Sequence, residues 1–212
     1  MTSDLFEPTN AATRPPIPGG ARDLRVTDAA SFGPDDDFML YVTAEAIGQL
    51  RAATVRAEPN EAFGLLLGRT FQDGRGIYTL VANVMEAAER DAGPGHVRLS
   101  IKQISGLRQR AQRAYPTHDL VGWWHSHDRY PDYSHTDREE QATWTDPNHV
   151  GLLTMMHGDV FGRAYRGPTS RLLPAHSPNP VATLARVKPA ELRPGTQSRR
   201  SLLGKPRNAQ VS

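Results

Sequence analysis

The central part of the chain alternates between two kinds of hydrophobic spacing. Short apolar runs bounded by turn residues predict strands, and apolar residues that recur every three or four positions predict helices. The predicted strands cover residues 38–42, 62–68, 76–86, 120–127, 150–156 and 160–166. The last two are expected to form a hairpin that turns at residues 157–159. This order predicts a mixed α/β (α+β) fold with a central mixed β-sheet flanked by helices.

Three helices are predicted between these strands. Thr43 is the expected N-cap of a helix that extends to residue 57. Ser100 and Gln103 form a capping box in front of a second helix, whose apolar residues recur at helical spacing. A third helix is predicted over residues 136–144. The connection of residues 91–100 is rich in glycine, and we interpret it as a mobile loop between strand and helix.

Both ends of the chain lack such periodicity. Residues 1–36 are rich in Pro, Gly, Ala and Asp, and predict a disordered leader. Residues 168–212 contain seven prolines and scattered arginines, and predict a flexible Pro/Arg-rich basic tail. One domain is therefore expected over residues 37–167, and the sequence leaves its oligomeric state open.

The formal net charge of +2 is unevenly distributed along the 212 residues. Residues 168–212 carry eight Lys or Arg and one Glu, a net charge of +7, so the rest of the chain has a net charge of −5. A basic tail attracts nucleic acid or acidic partners. No aromatic residues are interleaved with these bases, so the pattern favours a solvated tail over contact with nucleic acid.

The residue types that are missing restrict the possible chemistry. The chain has no cysteine, which excludes disulfides, thiolate ligands and a cysteine nucleophile. A metal site would have to use His, Asp, Glu or water. The sequence also has no apolar signal segment and no run of about 20 apolar residues. We therefore expect a soluble, cytoplasmic protein without a membrane partner.

A possible metal site lies at the end of the fourth predicted strand. His125 and His127 are two residues apart, so their side chains point to the same face of the strand. Asp137 follows ten residues later, at the start of a predicted helix, and offers a third ligand. Three protein ligands plus water are typical of catalytic zinc sites. Imidazole and carboxylate suit Zn²⁺, with Fe, Co, Ni or Mn left open.

A hydrolytic site also needs a general base. Glu61 lies at the beginning of the second predicted strand, where its carboxylate can project into a cleft and accept a proton from water. An alternative interpretation of the third ligand needs no metal, because Ser134 and Asp137 have the spacing of an ordinary helix capping box. The two roles are compatible, since an aspartate in the first turn can cap a helix and bind a metal.

Three segments of the sequence resemble a known family motif. They are NEAFGLLLGR at residues 60–69, VGWWHSH at residues 121–127, and Ser134-His135-Thr136-Asp137. Together they resemble the JAMM metalloprotease motif of the MPN domain: a glutamate before an apolar strand, His-x-His, and a downstream Ser-x-x-Asp. The resemblance covers about residues 38–167 and implies the MPN fold.

The resemblance implies a zinc-dependent peptidase or isopeptidase. Such an enzyme would hydrolyse the bond after the C-terminal glycine of a ubiquitin-like or sulfur-carrier protein. His125, His127 and Asp137 would bind the zinc ion, Glu61 would deprotonate the water, and Ser134 would stabilise the oxyanion. The residues that bind the substrate are not indicated. Two alternatives remain: a non-catalytic MPN scaffold or interaction module, and a zinc hydrolase of a small-molecule amide.

The sequence departs from the family pattern beside the site. Asp128 stands where the family usually has proline after the second histidine, and the spacer from His127 to Ser134 is one residue shorter than expected. Both changes alter the loop that leads to Ser134. Of the other histidines, His149 and His157 are expected to be polar groups on the surface.

Overall fold

The computed structural model describes residues 29–35, 38–73, 76–155 and 163–175 of the protein. In chain order its elements are β1 (Ala29–Asp35), β2 (Phe38–Thr43), α1 (Ala44–Ala57), β3 (Phe63–Asp73), β4 (Gly76–Glu86), β5 (Asp91–Gly93), β6 (His96–Arg98), α2 (Ile101–Ala114), β7 (Asp119–His127), α3 (His135–Ala142), β8 (Val150–Met155), β9 (Arg163–Arg166) and β10 (Arg171–Leu173). Within those ranges, every helix is too short or too polar to cross a lipid bilayer.

An eight-stranded mixed sheet forms the centre of the molecule, in the order β1-β2-β4-β3-β7-β8-β9-β10. β2 pairs with β4 and β7 with β8 in parallel, and the other neighbours are antiparallel. The sheet curls until its two edges meet, where Phe32 bridges to Ala175 and Gly33 N–H donates to the Pro174 carbonyl at 2.6 Å. The predicted α/β class with a central mixed sheet is confirmed.

Local capping signals define the helix starts. The Thr43 side chain accepts a hydrogen bond from Ala46 N–H at 3.2 Å and begins α1. Ser100 and Gln103 form the expected capping box of α2. These side chains satisfy backbone donors that would otherwise have no partner in the first turn. The predicted helix over residues 136–144 begins and ends slightly earlier, as α3.

The sheet extends beyond the limits expected for the domain. The leader was predicted to be disordered to residue 36, yet β1 pairs with β2, and β10 lies beyond residue 167 and pairs with β9. The remainder of the predicted leader and tail, and the predicted turn at residues 157–159, lie outside the described residues. Most of the expected loop at residues 91–100 is instead a two-stranded ribbon of β5 and β6.

Both faces of the sheet are covered by helices, and each face has its own apolar core. α1 packs with its buried Ile47 and Leu50 on the face that also buries Trp124. α2 covers the opposite face, where Leu107 packs in the same cluster as Trp123. The two adjacent tryptophans point to opposite faces because side chains alternate along a strand. β7 is therefore buried on both sides.

Strand β7 is packed closely enough to require glycine at Gly122. A Cβ atom added there would lie 1.9 Å from the Val150 carbonyl oxygen of the neighbouring strand β8. A contact this short with backbone cannot be relieved by rotating a side chain. The middle of the sheet thus fixes the position of the strand that carries the two histidines.

Candidate metal centre

Two buried histidines lie at the carboxyl end of β7. His125 pairs with Phe63 of β3 on one side and with Leu153 of β8 on the other, and is 1% exposed. His127 is 8% exposed. Their Nε2 atoms are 2.9 Å apart, as expected for side chains two residues apart on one strand face. The strand pairing therefore brings two imidazole nitrogens to one point.

Asp137 reaches the same point from the first turn of α3. Its Oδ1 lies 3.1 Å from Nε2 of His125, and its Oδ2 lies 3.2 Å from Nε2 of His127. Its backbone N–H donates to Ser134 Oγ at 3.2 Å, and its Oδ2 accepts from Ser134 N–H at 2.7 Å. The capping box and the contact with both histidines thus coexist, because Asp137 uses different atoms and lone pairs for each.

The arrangement of the three side chains fits a metal ion. Among the described residues, His125, His127 and Asp137 form a group whose candidate ligand atoms lie within 4.8 Å of one another. Bonds of about 2.0–2.1 Å to a tetrahedral ion would place its ligand atoms roughly 3.3 Å apart. His127 Nδ1 lies 2.9 Å from the Tyr130 carbonyl, which directs the Nε2 lone pair to the site. The donor set of two imidazoles and a carboxylate suits zinc.

The pKa shifts of His125 and Asp137 favour a ligand role, whereas the shift of His127 retains a proton that a bound ion would displace. Burial lowers the pKa of His125, so its imidazole is neutral at pH 7. Burial of Asp137 opposes its ionisation, but hydrogen bonds with His125, His127 and Ser134 hold its pKa well below the usual value. Burial would also lower the pKa of His127, yet Asp137 and the Tyr130 carbonyl raise it overall. The carboxylate is ionised and attracts a cation.

Glu61 lies across from His127 because of the strand register. Phe63 of β3 pairs with His125 of β7, and Ser126 N–H donates to the Ala62 carbonyl at 3.0 Å. Continuing this antiparallel register by one residue places Glu61 opposite His127. The Ser126 hydroxyl in turn accepts from Ala62 N–H at 2.8 Å. Glu61 N–H donates to the Gly93 carbonyl at 3.0 Å. The backbone beside this glutamate is therefore held on both sides.

The environment of Glu61 suits a general base. The residue is 6% exposed, and burial raises the pKa of its carboxyl group to about 7, against the opposing charge of His127. A base is most effective when its pKa lies close to the pH of the reaction. Glu61 can therefore accept and release a proton near neutrality.

A cleft of about 770 Å³ opens beside these groups. Strand β6 and the turn before it form one wall, and the loop from Asp128 to Ser134 forms the other, with Glu61, His127 and Asp137 also lining the space. Ser134 is exposed there at the start of α3. Its oxygen accepts from Asp137 N–H, which leaves the hydroxyl proton available to a group in the cleft.

Comparison with known proteins gives the family. The family model described as prokaryotic homologs of the JAB domain matches residues 43–166, more than half of the chain. The chain belongs to this family. This chain is also similar to the solution structure of protein DSY2949 from Desulfitobacterium hafniense. The TM-score is 0.45 and the sequence identity is 24%, over 59% of this chain and 82% of that chain. No curated protein matches the sequence of this chain.

Two polar residues of this JAB domain do not join the three-residue cluster. Asp128 lines the cleft and lies 3.1 Å from Arg129 Nε, and it is not part of the group that could hold a metal. His149 is 4% exposed and lies edge-on to Trp144, so its expected place on the surface is wrong. His157, the other histidine expected on the surface, lies outside the described residues.

The residues that support the loop before α3 carry no recognisable sequence motif. Asp132 accepts hydrogen bonds from Arg163 at 3.0 Å and from the Tyr165 hydroxyl, both on β9. Gln141 accepts from Trp123 Nε1 at 2.7 Å. These partners are 18 to 33 residues apart in sequence, and no local motif marks them.

Proposed function

We propose that this protein is a zinc-dependent peptidase or isopeptidase. Its substrate would be a ubiquitin-like or sulfur-carrier protein, cleaved after the C-terminal glycine. The observation that carries the proposal is the convergence of His125, His127 and Asp137, with their facing atoms 2.9–3.2 Å apart. Membership of the JAB-domain family, which includes metalloisopeptidases, supports the same assignment.

The residues of the cleft have complementary chemical roles in this proposal. His125, His127 and Asp137 would hold the ion. When bound, zinc acts as a Lewis acid that lowers the pKa of water and polarises a carbonyl group. Glu61 would accept the proton of the attacking water at its carboxylate and deliver it to the leaving nitrogen. The Ser134 hydroxyl would donate to the carbonyl oxygen as negative charge develops there.

The shape of the cleft suits an extended peptide tail. β6 forms part of one wall, and an extended chain lying along a strand can add backbone hydrogen bonds that do not depend on its side chains. Glycine, which has no side chain, is the residue that needs least room between β6 and the loop at Asp128. A protein with a glycine-terminated tail is therefore the substrate class that we propose.

The test measures bound metal and hydrolysis in the same preparations. We expect stoichiometric zinc in the purified full chain, and cleavage of fusions that join a ubiquitin-like or sulfur-carrier protein to a reporter. Glu61→Gln should retain the zinc and lower kcat by on the order of 10²–10⁴, the usual effect of losing a general base. Glu89→Gln, which changes an exposed carboxylate outside the cleft, is the matched control with unchanged kcat.

The same measurements distinguish the other candidate roles. A non-catalytic scaffold would contain no stoichiometric zinc and cleave none of the fusions. A hydrolase of small-molecule amides would bind zinc and leave the fusions intact, yet hydrolyse small amides. Activity of Glu61→Gln equal to that of the wild type would show that the base is another residue.

A further inference from the structure

Helix α3 carries two groups of the candidate site but has little apolar surface with which to pack. Of its residues Gln141 alone is buried, and the rest are exposed or half-buried. Most helices are held in place by burying an apolar stripe. The position of Ser134 and Asp137 must therefore depend on specific polar contacts.

Asp132, two residues before Ser134, makes such contacts with three parts of the molecule. Its Oδ1 accepts from Tyr133 N–H at 2.8 Å, from Arg138 of α3 at 3.3 Å, and from the Tyr165 hydroxyl. Its Oδ2 accepts from Arg163 at 3.0 Å. One carboxylate thus links the loop, the first turns of α3 and strand β9.

Tyr133 reinforces the same connection. Its ring stacks on Tyr165 with the ring centroids 3.7 Å apart, and it lies 5.5 Å from the ring of His125. Its N–H also lies 3.1 Å from the Tyr165 hydroxyl. Because the Tyr165 hydroxyl contacts Asp132 and the Tyr133 backbone together, a shift of the loop would break several contacts at once.

We propose that Asp132 is a positioning residue, which ties the start of α3 to β9 and thereby holds Asp137 and Ser134 against the two histidines of β7. The role rests on the proposed zinc hydrolase, since it concerns the geometry of that site. Partners outside the ligand shell typically change metal affinity by 10–100-fold.

The first experiment measures zinc affinity by competition with a chelator, using the full chain. Asp132→Ala should weaken zinc binding by at least tenfold, because Asp137 is then free to move away from His125 and His127. Asp132→Asn retains an oxygen for Tyr133 N–H and the Tyr165 hydroxyl, so we expect an intermediate affinity. Glu139→Ala, which removes an exposed acid paired with His135 on the same helix, is the control with unchanged affinity.

The second experiment asks whether Asp132 acts through Ser134. At saturating zinc, Asp132→Ala should lower kcat about tenfold with KM within twofold, because an oxyanion donor acts only in the transition state. In a Ser134→Ala background the same substitution should change kcat less than twofold. A general loss of structure would instead lower kcat equally in both backgrounds and would also reduce the melting temperature.

The outcomes separate this role from the proposed function. A wild type that binds zinc but cleaves no substrate would remove the peptidase proposal, while the chelator competition would still test Asp132. A folded Asp132→Ala variant with wild-type zinc affinity would overturn the positioning role, as would additive effects on kcat in the two backgrounds. A wild type without zinc affinity would overturn both.

Discussion

The two halves of the candidate site are built in different ways. His125 and His127 belong to an interior strand with neighbours on both sides and an apolar core on each face. Ser134 and Asp137 belong to a short helix on which Gln141 alone is buried. The strand is held by backbone hydrogen bonds to two neighbouring strands, and the helix is held by a few side-chain contacts from Asp132, Tyr133 and Gln141.

Mutations in the two halves should therefore have different first effects. A change in the β7 half disturbs the packing of the whole sheet, so it should appear first as lost stability. A change in the polar contacts of α3 alters the relative positions of groups at the site, so it should appear first as lost metal affinity or rate. The sheet fixes His125 and His127, whereas the position of Asp137 depends on the polar contacts of α3.

Gly122→Ala should have the largest effect on stability, because it changes the packing of β7 directly. The new Cβ would lie 1.9 Å from the Val150 carbonyl oxygen, and β7 or β8 would have to move. We expect a loss of about 3 kcal/mol or more in the free energy of unfolding, measured in urea. Gly48→Ala in α1 is the matched control, because the added Cβ has no atom within 4 Å.

The control substitution should be neutral or stabilising, by up to about 1 kcal/mol, since alanine favours a helix over glycine. A stability for Gly122→Ala close to that of the wild type would mean that the sheet adapts easily. The proposed contrast between a rigid β7 half and a more easily displaced α3 half would then be wrong.

The pH dependence of the rate is the second test, and it concerns the base opposite β7. Burial raises the pKa of Glu61 to about 7, and only its ionised form accepts a proton. As the pH falls through 7 the active form is lost, so kcat/KM should fall about tenfold per pH unit, or roughly 100-fold at pH 5. Ser134→Ala should keep this acidic limb, and the residual rate of Glu61→Gln should lose it.

Gln141→Ala tests the helix half and should have a smaller effect on stability. Gln141 accepts from Trp123 Nε1 at 2.7 Å and donates to the Gly167 carbonyl at 3.1 Å, so its removal leaves both buried groups without that partner. We expect a loss of about 2 kcal/mol in thermal or urea unfolding. A zinc affinity that falls with it would link this contact to the position of α3.

His135→Ala is the control for that substitution. Its side chain is 88% exposed on the same helix and contacts Glu139 at 3.3 Å. Exposed pairs of this kind contribute little, so the stability should change by less than about 0.5 kcal/mol. Equal losses for His135→Ala and Gln141→Ala would contradict the view that α3 is held by its buried amide.

The parts of the fold that depend on local sequence were predictable. Thr43, Ser100 and Ser134 each begin a helix by capping a backbone group three residues ahead, a pattern visible in four residues. The two-residue spacing of His125 and His127 was enough to place both rings on one face. Their assignment as metal ligands remains a prediction until zinc is measured.

The parts that depend on distant partners were not predictable. β1 contains Gly33 and Pro34, which disfavour strands, and pairing with β2 and the far edge of the sheet overrides that preference. His149 is buried, and its carbonyl accepts from Gly167 N–H at 2.8 Å, a partner that its neighbours in sequence do not indicate. Asp132 meets Arg163 across 31 residues, so only the folded chain reveals its role.

The meeting of the sheet's two edges has a practical consequence for any shortened form of the protein. Phe32 and Ala175 come from opposite ends of the described chain, and their bridge covers strands that would otherwise present backbone donors and acceptors to other molecules. A fragment cut to residues 37–167 would lose both β1 and β10 and uncover the flanks of β2 and β9. Such a fragment is exposed to self-association through its newly opened strands, and one that retains residues 29–175 is protected.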